Sequence, residues 1–401
     1  MPTLQPCPTL IAATSQAARI ACPALELSHC CAAPRRGHCI FRELLEHGED
    51  TRTDGAAARA RLLDFEDRGG MIRENRPHLL IYRYAKNGVR TTGVVGVCSA
   101  TEFGVPGSEA AISIPERAAD STAREGAYLN DVGAHLEPVT VAIESSDEID
   151  LLLRRDTNDR PRMHFIGPDR ATHTIWSVPE ASELLAAIAQ RHSAMVVNHA
   201  QAAHAALRLA ADHPGDDEAS RVLVLLVPEP SVGRAGVELR IEGIDAHEFL
   251  ELLRCETSAP PAPDLESADD PPKGSMTVLF DGTSVSAVIP EHDRGHDLLY
   301  VDELLRAAGV VVRFCPYALD SDHVDPTEVG QLRVRVHGLS LDDLRDAAQT
   351  PTQPRGRTQS PNRNQSQLGN DAHRPEERGL PPQSVWLPPV PLSGLVVHPF
   401  R

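Results

Sequence analysis

Ser193-Ala-Met-Val-Val-Asn-His-Ala-Gln-Ala-Ala-His-Ala-Ala-Leu-Arg-Leu-Ala-Ala-Asp212 joins a short apolar run to an alanine-rich stretch, and Val222-Leu-Val-Leu-Leu-Val227 follows. The runs at Ala194 to Val197 and Val222 to Val227 have strand length and β-branched content, while the stretch from about Asn198 to Ala211 reads as a helix. Strand and helix in succession imply a mixed sheet covered by helices. The same alternation extends towards the N-terminus: a strand near Val139 to Ile143, a helix from Glu148, strands near Met163 to Ile166 and Thr172 to Val178, and a helix from Pro179 to Arg191.

Further back, a helical pattern over Ala56 to Asp67 stops at Gly69-Gly70, as helices do where glycine supplies a left-handed residue. His78 to Tyr84 and Thr91 to Cys98 then flank Lys86-Asn87-Gly88, and Asn-Gly is a strong hairpin signal. Beyond the opening stretch, a helix over Ala246 to Arg254 leads into the Pro- and Asp-rich segment 257–273, read as a linker. A second unit, 274–401, begins with strands at Met276 to Phe280 and Ser284 to Ile289. A helix near Asp302, a strand at Val310 to Phe314 and a helix from Leu341 to Ala348 follow.

Residues 349–379 are Pro, Gln, Asn, Arg and Ser with little apolar content, too little to offset their ordering entropy, and are expected to be a disordered insertion. Residues 1–37 show no sustained period and are expected to be a poorly ordered extension. The fold class is therefore α+β, a mixed α/β core over 38–256 followed by a smaller α/β unit.

Composition narrows the function. A formal charge of −18 disfavours nucleic acid and anionic membrane, because phosphate backbones reward clustered Lys and Arg. No apolar run approaches membrane-helix length, and no basic n-region precedes the mildly apolar N-terminal stretch. The expectation is a cytoplasmic protein with a small-molecule or protein partner. Five of the eight cysteines, Cys7, Cys22, Cys30, Cys31 and Cys39, lie in the first 39 residues. Their spacing with His29 and His38 lacks the Cys-x-x-Cys knuckles of structural zinc sites, so no metal is assigned there or at His292 and His296.

Several segments together resemble one conserved family. Leu380-Pro-Pro-Gln-Ser-Val-Trp-Leu-Pro-Pro-Val-Pro-Leu-Ser-Gly-Leu395 resembles its signature Met-Pro-Pro-Lys-Ser-Thr-x-Phe-x-Pro-Lys-x-x-Ser-Gly-Leu, without gaps. Arg61 to Tyr84 and Thr92 to Phe103 resemble its first helix and hairpin, Glu116 sits where it has His-Glu-x-Thr, and Glu137-Pro138-Val139 resembles its segment before a strand. The family is the one catalogued as domain of unknown function 1015, of which this chain looks like a divergent member.

That resemblance implies a core like ParB and sulfiredoxin, with an Ala-Asp-Gly-His-His-Arg motif between a strand and a helix that holds phosphate. Glycine lets the backbone approach, helix N–H groups point at the anion, and arginine adds a positive fork. Here the matching residues are Asn198, His199, Ala200, Gln201 and Ala202 for Asp, Gly, His, His and Arg. The signature lysines have become Gln383 and Val390, while Ser384 is kept.

Each lost charge-assisted hydrogen bond removes roughly 1.5–3 kcal/mol. The resemblance thus implies a vestigial phosphate site at Asn198, His199, Gln201, Gln383 and Ser384, in a catalytically impaired paralogue acting as a binding or regulatory module. An arginine brought in from elsewhere, such as Arg42 or Arg124, would restore the positive field. The alternative is an active small-molecule phosphotransferase, kinase-like and possibly acting on an amino acid, with Glu116 as general base; only that reading brings in a nucleotide or Mg2+ as cofactor.

Overall fold

Met71–Lys86 and Val89–Ser99 pair antiparallel in a register that closes at Lys86 opposite Val89, the two-residue separation that Asn87-Gly88 implies. Around this pair the computed structural model describes residues 2–20, 55–86, 89–105, 108–114, 127–167, 171–232, 235–242, 244, 247–249, 251, 271–280, 283–289, 297–307, 311–318, 332–349 and 395–400. In chain order the first part holds β1 (Cys7–Ala12), α1 (Thr14–Ile20), α2 (Gly55–Asp67), β2 (Met71–Lys86), β3 (Val89–Ser99), β4 (Phe103–Gly104), β5 (Ile112–Ser113), β6 (Ala134–His135) and β7 (Val139–Ile143). Next come α3 (Asp147–Asp156), β8 (Met163–Ile166), β9 (Thr172–Val178), α4 (Ser182–Ala189), β10 (Ala194–Asn198), α5 (Ala200–Asp212) and β11 (Arg221–Pro228). The remainder holds β12 (Ala235–Glu242), β13 (Ser275–Phe280), β14 (Thr283–Val288), α6 (Asp297–Ala307), β15 (Val311–Ala318), β16 (Leu332–Leu339), α7 (Leu341–Gln349) and β17 (Val396–Pro399).

The strands make two sheets, in agreement with the mixed α/β expectation. The larger runs β4-β5-β10-β7-β11-β3-β2-β1-β17-β6, with β9 and β8 branching from β2. It is mixed: β10 with β5, β11 with β7 and β4 with β5 are parallel, whereas β2 with β3 and β9 and β11 with β3 are antiparallel. The branch arises because β2 is long. Its first half pairs with β1 and its second with β9.

One face of this sheet packs Ile81, Val94, Val141, Trp176 and Val224 against α3, α4 and α5. The other packs Leu80, Tyr82, Val95 and Leu225 against α1 and α2. The second sheet, β14-β13-β16-β12-β15, is antiparallel, and its core also takes Ala142, Met195 and Val197 from β7 and β10. Strand β10 is therefore buried on both faces, which explains why it reads as a continuous apolar run.

Three expectations are corrected. Residues 1–37 do not form one unstructured extension, because β1 pairs with β2 and β17 while Leu10, Ile11, Ala17 and Ile20 are buried. Strand β12 lies inside the span 38–256 expected to form one core, yet it pairs with β15 and β16 of the second sheet. Strand β17 does not complete the C-terminal unit; it pairs with β1 and β6 of the first sheet. In each case the partner is remote in sequence, so local periodicity does not reveal it. The segments 257–270, 350–379 and 380–394 lie outside the described residues. No helix among the described residues is long and apolar enough to cross a membrane.

Candidate functional site

The strand–turn–helix element quoted first is built as β10, one turn residue and α5. Asn198 still pairs with Thr140 of β7, after a register shift beyond Val196. His199 then adopts φ 60 and ψ 36, and is the only non-glycine residue at positive φ among those described. The helix therefore starts at Ala200, two residues later than its alanine content suggests. A left-handed residue with a Cβ costs about 1–2 kcal/mol, and surrounding contacts must hold it there. His199 thus holds a backbone conformation that glycine would adopt freely.

What holds it is visible. His199 Nδ1 lies 3.1 Å from Glu137 Oε2, with both side chains largely buried. The His199 carbonyl accepts from Ala202 N at 3.0 Å and Ala203 N at 3.3 Å, closing the first turn. Small residues draw α5 onto the sheet, where Ala200, Ala203 and Ala206 are buried. At its far end His213 Nε2 meets Asn130 Oδ1 at 3.1 Å, tying α5 to the helical segment 127–132.

That segment brings Tyr128 close to Glu137. Burial pushes the Tyr128 hydroxyl up to about 12, with Arg61 opposing the shift and Glu137 reinforcing it. Arg61 comes from α2, whose first residue approaches tightly: a Cβ on Gly55 would lie 2.6 Å from Asp131 Cβ and 2.9 Å from the Tyr128 carbonyl. The site therefore gathers α2, the 127–132 segment, the β6–β7 turn and the start of α5.

Among the sequence-predicted residues, Asn198 is 1% exposed at the end of β10, His199 is 7% exposed, and Gln201 lies in the first turn of α5. Glu116, Gln383 and Ser384 lie outside the described residues, as do Arg42, Arg124 and the histidines and cysteines weighed as metal ligands between 22 and 39 and at 292–296. No group of three or more His, Cys, Asp or Glu is arranged to hold a metal among the described residues. Glu137 was missed as a site residue. Its signal was an acid immediately before Pro138-Val139, at the entry to the strand that pairs with β10.

Chemically, the Glu137–His199 pair can hold a turn or pass a proton. It is poorly suited to gripping polyphosphate, because the carboxylate at the helix start repels the anion that the N–H groups attract.

The model of the family described as "Protein of unknown function (DUF1015)" matches residues 38–234, which supports the family resemblance. No curated protein matches the chain. Among solved structures, SbnI with C-terminal truncation from Staphylococcus aureus is similar over 63% of this chain and 76% of that chain, at 10% identity and a TM-score of 0.35. At that level of similarity it carries no functional argument.

Proposed function

We propose that this chain, whose residues 38–234 match the DUF1015 family model, is a catalytically impaired member of that family with a ParB-like core, serving in the cytoplasm as a binding or regulatory module for a small molecule or protein. The observation that carries this reading is the Glu137 carboxylate 3.1 Å from His199 Nδ1 at the start of α5. A helix N-terminus favours negative charge. Here an internal carboxylate already supplies it, and Ala202 stands where the motif has arginine.

Two effects act in the same direction. Loss of the cationic side chains removes affinity, at roughly 1.5–3 kcal/mol for each charge-assisted bond. The Glu137 carboxylate beside the helix start competes with an incoming phosphate for that end of α5. The retained backbone shape fits maintenance of the fold, because a left-handed residue is needed to turn from β10 into α5 whether or not a ligand binds there.

Calorimetry with ATP, ADP, CTP, pyrophosphate and phosphoserine tests the reading. The expected result is no binding tighter than millimolar at the start of α5. A micromolar affinity that Glu137→Gln or His199→Gly changes tenfold or more would sink it.

A further inference from the structure

On the face of the larger sheet that packs against α3, α4 and α5, at the end nearest residue 86, lies a polar patch that the His199 site does not use. Arg83 of β2 is opposite Thr92 of β3 and Thr174 of β9, while the next residue on that face, Ala85, is opposite Arg90 and Thr172. Directly opposite residues of an antiparallel pair share a face. Ala85 therefore forms a low floor bordered by Arg83, Arg90, Thr172 and Thr174. His164 of β8 continues the row, its Nδ1 3.0 Å from Thr174 Oγ1.

Arg83 is held firmly and left positive. Its Nε donates to Thr92 Oγ1 at 3.2 Å and its Nη2 to Thr157 Oγ1 at 3.1 Å, just past the end of α3. Its guanidinium carbon lies 4.9 Å from the centroid of the Trp176 ring. Hydroxyls, an indole face and the helix C-terminus orient a guanidinium without neutralising it. Partial burial lowers the proton affinity of Arg83, and the neighbouring cation Arg90 adds to that shift. Neither arginine has an ion pair among the described residues. In a chain of net charge −18, two same-face arginines without a carboxylate are an unusual use of charge.

We infer that Arg83 and Arg90, with Thr92 and Thr172 at the border of the Ala85 floor, form an oxyanion site for a phosphate group. Thr92 Oγ1 accepts from Arg83 and still has its own proton to donate. A tetrahedral dianion brings two charges and at least three acceptor oxygens to two guanidinium forks, whereas a carboxylate brings one charge and two oxygens. The patch is distinct from the start of α5. Strand β2 is four strands from β10 in the sheet order, a separation of roughly 19 Å at about 4.8 Å per strand. The inference does not depend on the reading at His199.

The indole beneath Arg83 provides the readout. The chain has two tryptophans, so Trp386→Phe leaves Trp176 as the sole indole. Titration of the full chain with inorganic phosphate should give a saturable change in its fluorescence, with a midpoint at roughly millimolar concentration. Sodium chloride and sodium acetate at matched ionic strength should not reproduce it. Arg83→Gln should weaken the response at least tenfold, and Arg90→Gln, an exposed position, by about three- to tenfold. If Arg83→Gln does not fold, Arg90→Gln decides. A linear response, an undiminished response in the decisive variant, or equal binding of acetate overturns the inference. A phosphate response that survives Arg83→Gln and changes with Glu137→Gln also overturns it, and if micromolar it overturns the reading at His199 too. A negative result at Arg83 leaves that other reading intact.

Discussion

The start of α5 and the patch at Arg83 are opposites in charge. At α5 a left-handed residue leads into a helix N-terminus, with a carboxylate beside it. At Arg83 two guanidiniums share a sheet face, with hydroxyls and an indole where a carboxylate partner would ordinarily stand. Backbone shape and side-chain charge are thus separable: a left-handed turn is needed wherever the chain passes from β10 into α5, whereas arginines without an ion pair among the described residues have no equivalent topological reason.

The largest expected effect is at the turn. His199→Val should destabilise the protein by more than about 3 kcal/mol, because a β-branched residue resists positive φ and the substitution leaves Glu137 without its imidazole partner. His199→Gly should retain more stability, since glycine adopts the same φ freely. Urea unfolding of the two variants measures the difference, and equal losses would show that the turn does not depend on its conformation.

Charge at the same turn can be restored. Glu137→Gln combined with Ala202→Arg should raise pyrophosphate affinity by at least about tenfold, from one charge-assisted hydrogen bond of roughly 1.5–3 kcal/mol. Calorimetry would read the change. An unchanged affinity would mean that the backbone at α5 no longer presents its N–H groups to a ligand.

A third buried site sharpens the contrast through pH. His135 and His398 stack at 6.2 Å between centroids and 11° between planes, their ring nitrogens 2.8 Å from the Arg221 carbonyl and 3.1 Å from the Pro8 carbonyl. Burial holds His135 down to about 3, with His398 adding to the shift, and burial also lowers His398. Cys7, Glu218 and Arg221 face the same region. Since folding lowers these values, the stability linked to neutral imidazole is fully present above the unfolded value near 6.5 and is lost as pH falls from there towards 3. Between pH 7 and 5 the wild type should lose about 2 kcal/mol more than His135→Gln, at about 1.4 kcal/mol per unit. Parallel urea titrations at the two pH values check this, and identical losses would remove His135 as the titrating group.

The smallest effect concerns the support of Arg83. Ser146 Oγ accepts from Ile149 N at 3.2 Å and caps α3, the helix that presents Thr157. Ser146→Ala should cost about 1 kcal/mol and loosen the phosphate response of Trp176 less than Arg90→Gln does. A larger loss of response than of stability would place the helix end inside the site.

Much of the fold was legible locally. Strands β7, β8, β9 and β11 and helices α2, α3 and α7 fall within a residue or two of their sequence boundaries, because their periods are complete within each segment. Two strands were missed although they alternate: in Leu332–Leu339, Leu332, Val334 and Val336 are buried while Arg333, Arg335 and His337 face the other side. In Ala235–Glu242, Leu239 and Ile241 enter the core while Glu238 lies 3.1 Å from Arg335 and 3.8 Å from Arg333. A strict period of two was available in both. It was obscured because charged residues face a partly buried surface.

The sequence by itself determined the alternation of strands and helices, the hairpin at Asn87-Gly88 and the absence of Lys and Arg from Asn198 to Leu207, since these reside in neighbouring residues. Only the tertiary structure decided that Cys7–Ala12 and Val396–Pro399 pair in the first sheet, that Glu137 meets His199, and that Arg83 and Arg90 share a face and make no ion pair among the described residues. Those facts depend on strand register and on partners tens to hundreds of residues apart, and long-range pairing is selected by burial of the whole sheet rather than by any local preference.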